Sequence, residues 1–502
     1  MPTPINNWVS EVFRARRPFM VGIGGCGMSG LARLLRSGGA HVRGSDSSLT
    51  ALTERLSAEG IMVEHDGPES TLPADRDLLI MSAAVKRDHR LVLEAQVRGL
   101  PIMTYAEALG LAMSGRTGVA IAGTHGKSTA TAMLGCVLID AGLDPSVIVG
   151  ATCAQLGRGS LGGEAQEPVG SRIGAQVVPL GTFASKPGLL IGEACEFNRS
   201  FHNLYPTLAS ISSIEADHLD IYGSIDAIIE AFAVFARRVP PASQGGKLLI
   251  AHDGAYRSVV TAGLECAVET IGFNPAADWC VSYDAASRRT TLRHEDLRLE
   301  WIGHMPGEHN AMNAATAAAL AMLLGAERAR VEHSLSAFRG LDRRMQLLGD
   351  GVLPGGGVVR VYDDYGHHPT EIDATLRALR QAESPEARGG RLICVFQPHQ
   401  HSRTRFLLGE FATSFGQADV VIVPDIYFVR DSQAEQQLVS SQDLVEKLRE
   451  KGVEASLINQ FDAIVEHLRT FTRDGDLVVV MGAGPVWQVG HQFMKSLGKA
   501  QA

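Results

Sequence analysis

The 502-residue chain has little of what marks a secreted, membrane-bound or nucleic-acid-binding protein. Its seven cysteines, at 26, 136, 153, 195, 266, 280 and 394, form no C-x-x-C pair and no zinc spacing. An odd count without such pairs argues against a disulfide framework and for a reducing cytoplasm. Long apolar runs are missing too. The stretch FMVGI after Arg14, Arg16 and Arg17 stops at Gly24 and Gly25, far short of a signal-peptide core or a membrane span. No export or membrane anchoring is expected. Positive charge is in deficit, with 46 Lys and Arg against 55 Asp and Glu and a formal charge of -9. A general attraction to nucleic acid or an anionic membrane is therefore not expected, and any anionic ligand must be held by local groups. There is no internal repeat with a period of about 20 to 50 residues and no low-complexity tail.

What is present is ordinary enzyme composition, 45% apolar and 20% charged, in a chain too long for one core. At about 150 residues per domain, three domains are expected. Short apolar runs at 19–23 and 77–82 alternate with amphipathic stretches at 28–37 and 49–59, the pattern of an open parallel sheet of βαβ units. A polar joint at Ser114, Gly115 and Arg116 closes this first domain, 1–114. Buried strands are expected at 119–122, 189–194, 208–214 and 247–251, with helices over 225–239 and the Ala-rich 310–324. They make 115–340 a second α/β domain. Inside it, 158–187 is punctuated by Gly and Pro without clear period and reads as a long loop or irregular hairpin. Apolar runs at 358–364, 392–398, 419–427 and 477–484 each end in polar or glycine residues. They predict a third, Rossmann-like domain over 341–502, with ligands beyond the carboxyl ends of its strands.

The strongest motif is GVAIAGTHGKS at 118–128, an apolar run breaking into a glycine-bracketed turn. Such a turn holds phosphate: its glycines let N–H groups point into one concavity, Lys127 adds a mobile positive charge, and the Ser128 hydroxyl can coordinate Mg²⁺. ATP or GTP is the first expectation. The general G-x-x-x-x-G-K-[ST] pattern is incomplete, because Ile121 stands where its first glycine belongs. His125, inside the loop, reads as a spacer with a backbone role. Nearer the N-terminus, Gly22-Ile23-Gly24-Gly25-Cys26-Gly27 is a literal G-x-G-x-x-G, with Asp46 about twenty residues on. Alone it spells a diphosphate site on a helix N-terminus, which a UDP-sugar satisfies as well as NAD does.

Glu193 closes the run LLIGE and His218 ends IEADH. A strand-end carboxylate beside a phosphate loop is placed to bind Mg²⁺ directly or through water. Histidine is an unusual magnesium ligand, so His218 stays open between ligand and helix-cap or core histidine. Glu196, Glu215, Asp217 and Asp220 compete for the same role. The densest polar cluster is Asp363, Asp364, Tyr365, Gly366, His367, His368 and Pro369, followed by Gln397, Pro398, His399 and Arg403, then Asp425 and Tyr427. No third ligand is spaced to make the paired histidines a zinc site, so a small polar substrate is the better reading.

With these residues in hand the chain resembles the Mur ligase family, ATP-dependent amide-bond synthetases of peptidoglycan assembly, over nearly its whole length. The family's loop is the short G-T-x-G-K-[ST], here 123–128. The likeness is greatest to the branch that joins L-alanine to UDP-N-acetylmuramate, through GIGGCGMSGLA, SIEADHLDIY, GEHNAMNAATA, DRRMQ, DDYGHHPTEI, FQPHQHSRT and MGAGP. The resemblance implies an N-terminal Rossmann-like domain for the UDP-sugar, a central P-loop-type ATPase and a C-terminal Rossmann-like domain closing over ATP and the amino acid. It implies that Gly123, Thr124, His125, Gly126, Lys127, Ser128 and Thr129 hold ATP, with Asn310 at adenine, Asp364 by the ribose and Arg344 a conformation-sensitive arginine. Mg²⁺ would sit on Ser128, Glu193 and His218. The sugar nucleotide would take Gly24, Gly25, Cys26, Gly27, Met28, Ser29, Asp46 and Ser82, and His368, Arg403 and Tyr427 would surround the amino acid and the reacting phosphate. Lys127, His218, His368 and Arg403 would carry the chemistry, in a monomer or homodimer.

The chain also departs from the family pattern. Where relatives read E-A-D-E-S-D it has Glu193-Ala194-Cys195-Glu196-Phe197-Asn198, and where they read P-H-R-Y-[ST]-R it has Pro398-His399-Gln400-His401-Ser402-Arg403. Phe428-Val429-Arg430-Asp431 replaces the usual small, charged continuation after Tyr427. These changes spare the ATP residues and fall near the amino acid, so glycine and L-serine stay open beside L-alanine. Three other readings remain: a sister ligase adding a preformed peptide to the same nucleotide, a nicotinamide-dependent oxidoreductase built on 22–27, which leaves Lys127 and Ser128 without a purpose, and a non-catalytic nucleotide-binding regulator.

Overall fold

The computed structural model describes residues 13–157 and 168–499. Its first sheet is fully parallel, with β1 (Pro18–Val21), β2 (Arg43–Asp46), β3 (Met62–His65), β4 (Leu78–Met81) and β5 (Ile102–Thr104) in the order β3-β2-β1-β4-β5. The strand order reverses beside β1, and the glycine turn at 22–27 opens from its carboxyl end. That is where ligands bind in open α/β sheets.

The middle sheet has ten strands: β6 (Thr117–Ala122), β7 (Ser146–Cys153), β8 (Val169–Arg172), β9 (Leu189–Ala194), β10 (Leu208–Ile211), β11 (Lys247–Ala251), β12 (Ala267–Gly272), β13 (Trp279–Asp284), β14 (Arg289–His294) and β15 (Leu297–Ile302). They run β15-β14-β13-β12-β11-β10-β6-β9-β7-β8, parallel from β13 to β7 and antiparallel at both margins. The third sheet holds β16 (Gln346–Val352), β17 (Val358–Asp364), β18 (Leu392–Phe396), β19 (Val420–Val423), β20 (Glu454–Leu457), β21 (Leu477–Met481) and β22 (Gly498–Lys499). Its order is β20-β19-β18-β21-β17-β16-β22, parallel from β20 to β17.

Continuous apolar runs become central strands because successive side chains point to opposite faces and both faces are covered. In β6, Val119 and Ile121 enter one core while Ala120 and Ala122 enter the other. In β21, Leu477, Val479 and Met481 face one helical layer and Val478 and Val480 the other. The sequence does not announce the antiparallel β13 to β15 margin: in β14 and β15 only alternate residues such as Leu292, Leu299 and Trp301 are buried, and in β13 the buried run is just Trp279, Cys280 and Val281. Of the stretch read as a loop or irregular hairpin, 158–167 lies outside the described residues. The rest contains β8, paired with β7, and an isolated bridge between Val177 and Pro187.

The helix Cys26–Ser37 of the first domain lies against β7 and β8 of the second. A Cβ on Gly30 would come within 2.8 Å of the Ser171 Cβ and 3.2 Å of Ile148, so only a glycine permits this approach. One apolar cluster runs from Met20, Leu31 and Leu35 through Ala108 and Met113 to Ala120, Ile211 and Phe232, across both domains. The two clusters of the third domain contain no residue before Met345.

Candidate active site

β6 brings the phosphate-type loop to the centre of the middle sheet. Ile121 is 1% exposed and paired with Ser210 and Glu193 of the flanking strands. The position where a longer loop has its first glycine is thus still strand here. The turn is correspondingly short, and its two glycines are needed. Gly123 has φ +131° and Gly126 φ +81°, and a Cβ on either would lie 2.0 Å from Ser212 Oγ or 2.2 Å from Asn313 Oδ1. The segment after β10 pins the turn. Thr124 N–H donates to Ser213 O at 2.9 Å, His125 N–H to Ser213 Oγ at 3.1 Å, and Glu215 N–H to Thr124 Oγ1 at 2.9 Å. The helix Lys127–Asp140 starts immediately, and its first-turn N–H groups have no intrahelical acceptor. They and the helix dipole favour an anion at this point.

Lys127 Nζ donates to Gly123 O at 2.6 Å, Thr124 O at 2.9 Å and Glu196 Oε1 at 3.1 Å. Burial disfavours its charge, but Glu196 outweighs that and raises its pKa. The ammonium is therefore protonated and folded onto the loop. It borders a cavity of about 420 Å³ to which all three domains contribute: Cys26 from the first, Thr124 to Thr129, Glu193, Glu196 and His218 from the second, and Arg344, His367, His368 and Glu371 from the third. A second, less polar cavity of about 230 Å³ adjoins it, lined by Asn310, Met312, Asn313, Met345 and Asp364. His125, Gly126, Thr129, Arg344 and Glu371 border both. A polar chamber at the loop beside an apolar one has the shape a nucleoside triphosphate requires.

Three non-glycine residues with left-handed backbone line these cavities: His218, Arg343 and Met345. Such conformations carry strain and cluster at functional sites. His218, with φ +52°, precedes the short helix Leu219–Tyr222 and its side chain lines the larger cavity. Burial, reinforced by the Arg403 and Lys127 charges, pushes its pKa down to about 4 against the pull of Asp217. It is a neutral imidazole near pH 7. Glu196, Asp217 and His218 place ligand atoms within 4.8 Å of one another. Glu193, at the end of β9, accepts from Gly150 N at 2.5 Å and faces the same cavity.

His125 does more than the spacer role expected from sequence. Its Nε2 lies 3.4 Å from Glu215 and its Nδ1 3.3 Å from Glu371 of the third domain. Burial opposes its charge, but these two carboxylates raise its pKa to about 9. An imidazolium thus bridges the phosphate loop and the C-terminal domain. Around it, Thr370 Oγ1 donates to Glu215 at 2.6 Å and His368 Nε2 lies 3.2 Å from Ala216 O. His368 Nδ1 accepts from Thr370 N at 3.3 Å, capping the helix Pro369–Glu383, so the Nε2 carries the proton. Deeper in the seam Arg403 grips Asp217 with Nε at 2.9 Å and a second nitrogen at 3.3 Å.

Of the site residues expected from sequence, the structure gathers Cys26, Thr124, His125, Gly126, Lys127, Ser128, Thr129, Glu193, His218, Arg344 and His368 around the larger cavity. Asn310 and Asp364 line the smaller one. Asp364 is held by Met345 N and Gly366 N, and burial pushes its pKa up to about 6. Arg403 stands behind Asp217. Tyr427 packs on His399, with ring centroids 5.7 Å apart. At the N-terminal turn Asp46 Oδ2 accepts from Gly24 N at 2.8 Å and Ser82 packs against Gly22, and only Cys26 of this turn reaches the larger cavity. Gly25 caps the helix that Cys26 and Gly27 begin, while the Met28 and Ser29 side chains are buried. Sequence reasoning missed Glu371, Thr370, Ser212, Ser213 and Asn313, and named Glu196 and Asp217 only as competitors. For Glu371 a local signal existed, since His368 and a glutamate three residues on form a capping box.

Three family descriptions match the chain: Mur ligase family, catalytic domain, over 19–117; Mur ligase middle domain over 121–321; and Mur ligase, glutamate ligase domain, over 343–484. The UDP-N-acetylmuramate--L-alanine ligase of Caldanaerobacter subterraneus subsp. tengcongensis is 37% identical over 495 residues, spanning 97% of this chain and 98% of that protein. The crystal structure of UDP-N-acetylmuramate-alanine ligase from Thermotoga maritima superposes with a TM-score of 0.71 at 23% identity, covering 96% of this chain and 98% of its own. A murein peptide ligase from Psychrobacter arcticus gives 0.68 at 24% identity, over 97% and 100%. These two structures speak to the fold.

Proposed function

The chain belongs to the Mur ligase family, and we infer that it joins L-alanine to the lactyl carboxylate of UDP-N-acetylmuramate with conversion of ATP to ADP and phosphate. The observation that carries this reading is the convergence of all three domains on one polar cavity at Lys127. The full-length relatives at 34 to 37% identity that add L-alanine favour it over the peptide-adding sister. Family membership also sets aside the oxidoreductase.

A free carboxylate does not acylate an amine at neutral pH, because its oxygen leaves poorly. Transfer of the γ-phosphoryl group of ATP to the lactyl carboxylate gives an acyl phosphate and ADP. The amino group then attacks the carbonyl carbon, the C–O bond breaks, and phosphate departs with the electron pair while the amine loses a proton. No side chain needs to form a covalent bond; catalysis is positioning and electrostatics. In this reading residues Gly123 to Thr129 enclose the phosphates, with Asn310 at the adenine, Asp364 near the ribose and Arg344 between the two chambers. Lys127 leaves Glu196 for the transferring phosphoryl oxygens. Ser128, Glu193 and His218, which line one cavity, would hold Mg²⁺: the hydroxyl and carboxylate are the oxygen donors that ion prefers, and the imidazole, kept neutral, has a free lone pair to join them; when bound the ion would neutralise phosphate charge.

The sugar nucleotide takes the crevice of Gly24, Gly25, Cys26, Gly27, Asp46 and Ser82, its diphosphate on the N-terminus of the helix Cys26–Ser37. Met28 contributes its backbone N–H, since its side chain is buried, while Ser29, whose N–H donates to Gly25 O at 2.8 Å and whose hydroxyl donates to Cys26 O at 3.0 Å, shapes the turn from within. Cys26 borders both this turn and the larger cavity, which directs the lactyl end toward Lys127. His368, Arg403 and Tyr427 surround the incoming amino acid. We take the working units to be 1–114, 115–340 and 341–502, in a monomer or homodimer, because one chain supplies every wall of the cavity. No helix among the described residues is long and apolar enough to cross a membrane. Its seven cysteines form no disulfide, and we assign the enzyme to the cytoplasm.

The test is phosphate release with ATP, Mg²⁺ and UDP-N-acetylmuramate against a panel of amino acids and preformed peptides. Release is expected only with both sugar nucleotide and amino acid, fastest with L-alanine. Release with peptide alone would assign the sister reaction, and release with neither a plain ATPase.

A further inference from the structure

The amino acid substrate of such a ligase carries an α-carboxylate, which needs a cation near the reacting end of the cavity. Most cations there already have partners. Lys127 is paired with Glu196 and Arg403 with Asp217. Arg343 is bound to Asp363 and to Gly482 O and Gly484 O. Arg344 lies over Tyr365 at 4.8 Å, where both cavities meet and where the ATP phosphates belong. Arg430 is different. It has no carboxylate partner among the described residues, and its guanidinium rests 4.5 Å above the ring of Phe197. Phe197 in turn stands edge-on to His218 at 5.1 Å. The Arg430 charge is close enough to act on both His218 and His399, from a backbone held at φ +63°.

The departures from the family pattern meet at this point. Phe197 and Arg430 belong to two of the altered segments and touch each other. The third is tied to them, since Asp431, next to Arg430, accepts from His401 N at 2.5 Å and from Ser402 Oγ at 2.6 Å. Gln400 is 2% exposed and its amide nitrogen has no partner, so that segment offers no free cation.

We propose that Arg430, seated on Phe197 and through it beside the cavity-lining His218, binds the α-carboxylate of the incoming amino acid. This rests on the ligase reading above. Arg430 is exposed, so substituting it leaves the fold intact. The experiment compares wild type with R430Q and R430K, using ATP, Mg²⁺ and UDP-N-acetylmuramate with each of three acceptors. L-alanine has the carboxylate, L-alaninamide lacks it, and hydroxylamine intercepts the acyl phosphate without an amino acid. In R430Q, kcat/KM for L-alanine should fall about 10- to 100-fold, the range for a charge-assisted hydrogen bond. Turnover of L-alaninamide and hydroxylamine-supported ADP release should stay as in wild type. R430K should recover part of the loss, since lysine restores charge without the planar fork. Unchanged L-alanine kinetics in R430Q, or an equal fall with all three acceptors, would overturn the assignment. Absence of ADP release from wild type with every acceptor would instead sink the ligase reading itself.

Discussion

Between the first and the middle domain the packing is apolar, one buried cluster running from Leu31 and Leu35 of the first to Ile211 and Phe232 of the second. Towards its C-terminal neighbour the middle domain presents His125, Glu215, the Ala216 carbonyl and Asp217, each engaged by a polar group of the third domain. The two contacts do different work. Apolar burial is non-directional, contributes roughly 25 cal/mol per Å² and does not depend on ligand. Buried ion pairs come close to breaking even against desolvation, and those here lie in or beside the phosphate loop, where ATP would compete for them. The first contact is fixed by packing; the second is a polar seam, and in the ligase reading it is the one expected to open and re-form. A water-sensitive acyl phosphate calls for such a closing part.

The largest expected effect sharpens this contrast on the seam side. Lys127→Ala should lower ADP release by at least about 10³-fold with the far-ultraviolet circular dichroism of wild type; retained turnover would remove the loop from the mechanism. On the packed side, Gly30→Leu would drive a side chain into Ser171 and Ile148. It should cost about 1 to 3 kcal/mol in urea unfolding, and a non-hydrolysable ATP analogue should not repair it. A wild-type midpoint for this variant would mean that the two domains are not held by close packing.

The smallest effect is a pH dependence. His125 is raised from 6.5 to about 9, so its contribution to the docked seam is complete below about pH 6.5. It is lost as pH rises through 9. Glu215, lowered from 4.5 to about 2 by His125 and Thr370 despite its burial, loses its contribution only in acid. Between pH 6.5 and 9, Tm of wild type should therefore fall relative to that of His125→Gln. Parallel curves would show that another group controls the seam.

Much of the fold was legible because central strands are buried on both faces. Residues 189–194, 247–251 and 358–364 coincide with β9, β11 and β17. The one-sided strands β14 and β15 left no such run. At the site, the loop and the glycine turn are local signals and were read directly. The partners were not: Lys127 finds Glu196 across 69 positions and Arg403 finds Asp217 across 186. No spacing rule connects residues that meet only when distant strands of one domain, or two domains, pack together.

The sequence by itself determined the phosphate loop, the glycine turn on β1, the three α/β units and the family, because each rests on contiguous residues whose backbone or burial requirements are local. Tertiary structure decided how those parts act on one another. It turned His125 from a loop residue into a charged link, because two carboxylates from different domains converge on it. It also set Arg430 over Phe197 beside His218. Charge interactions depend on distance and burial, and those are fixed only when the domains meet.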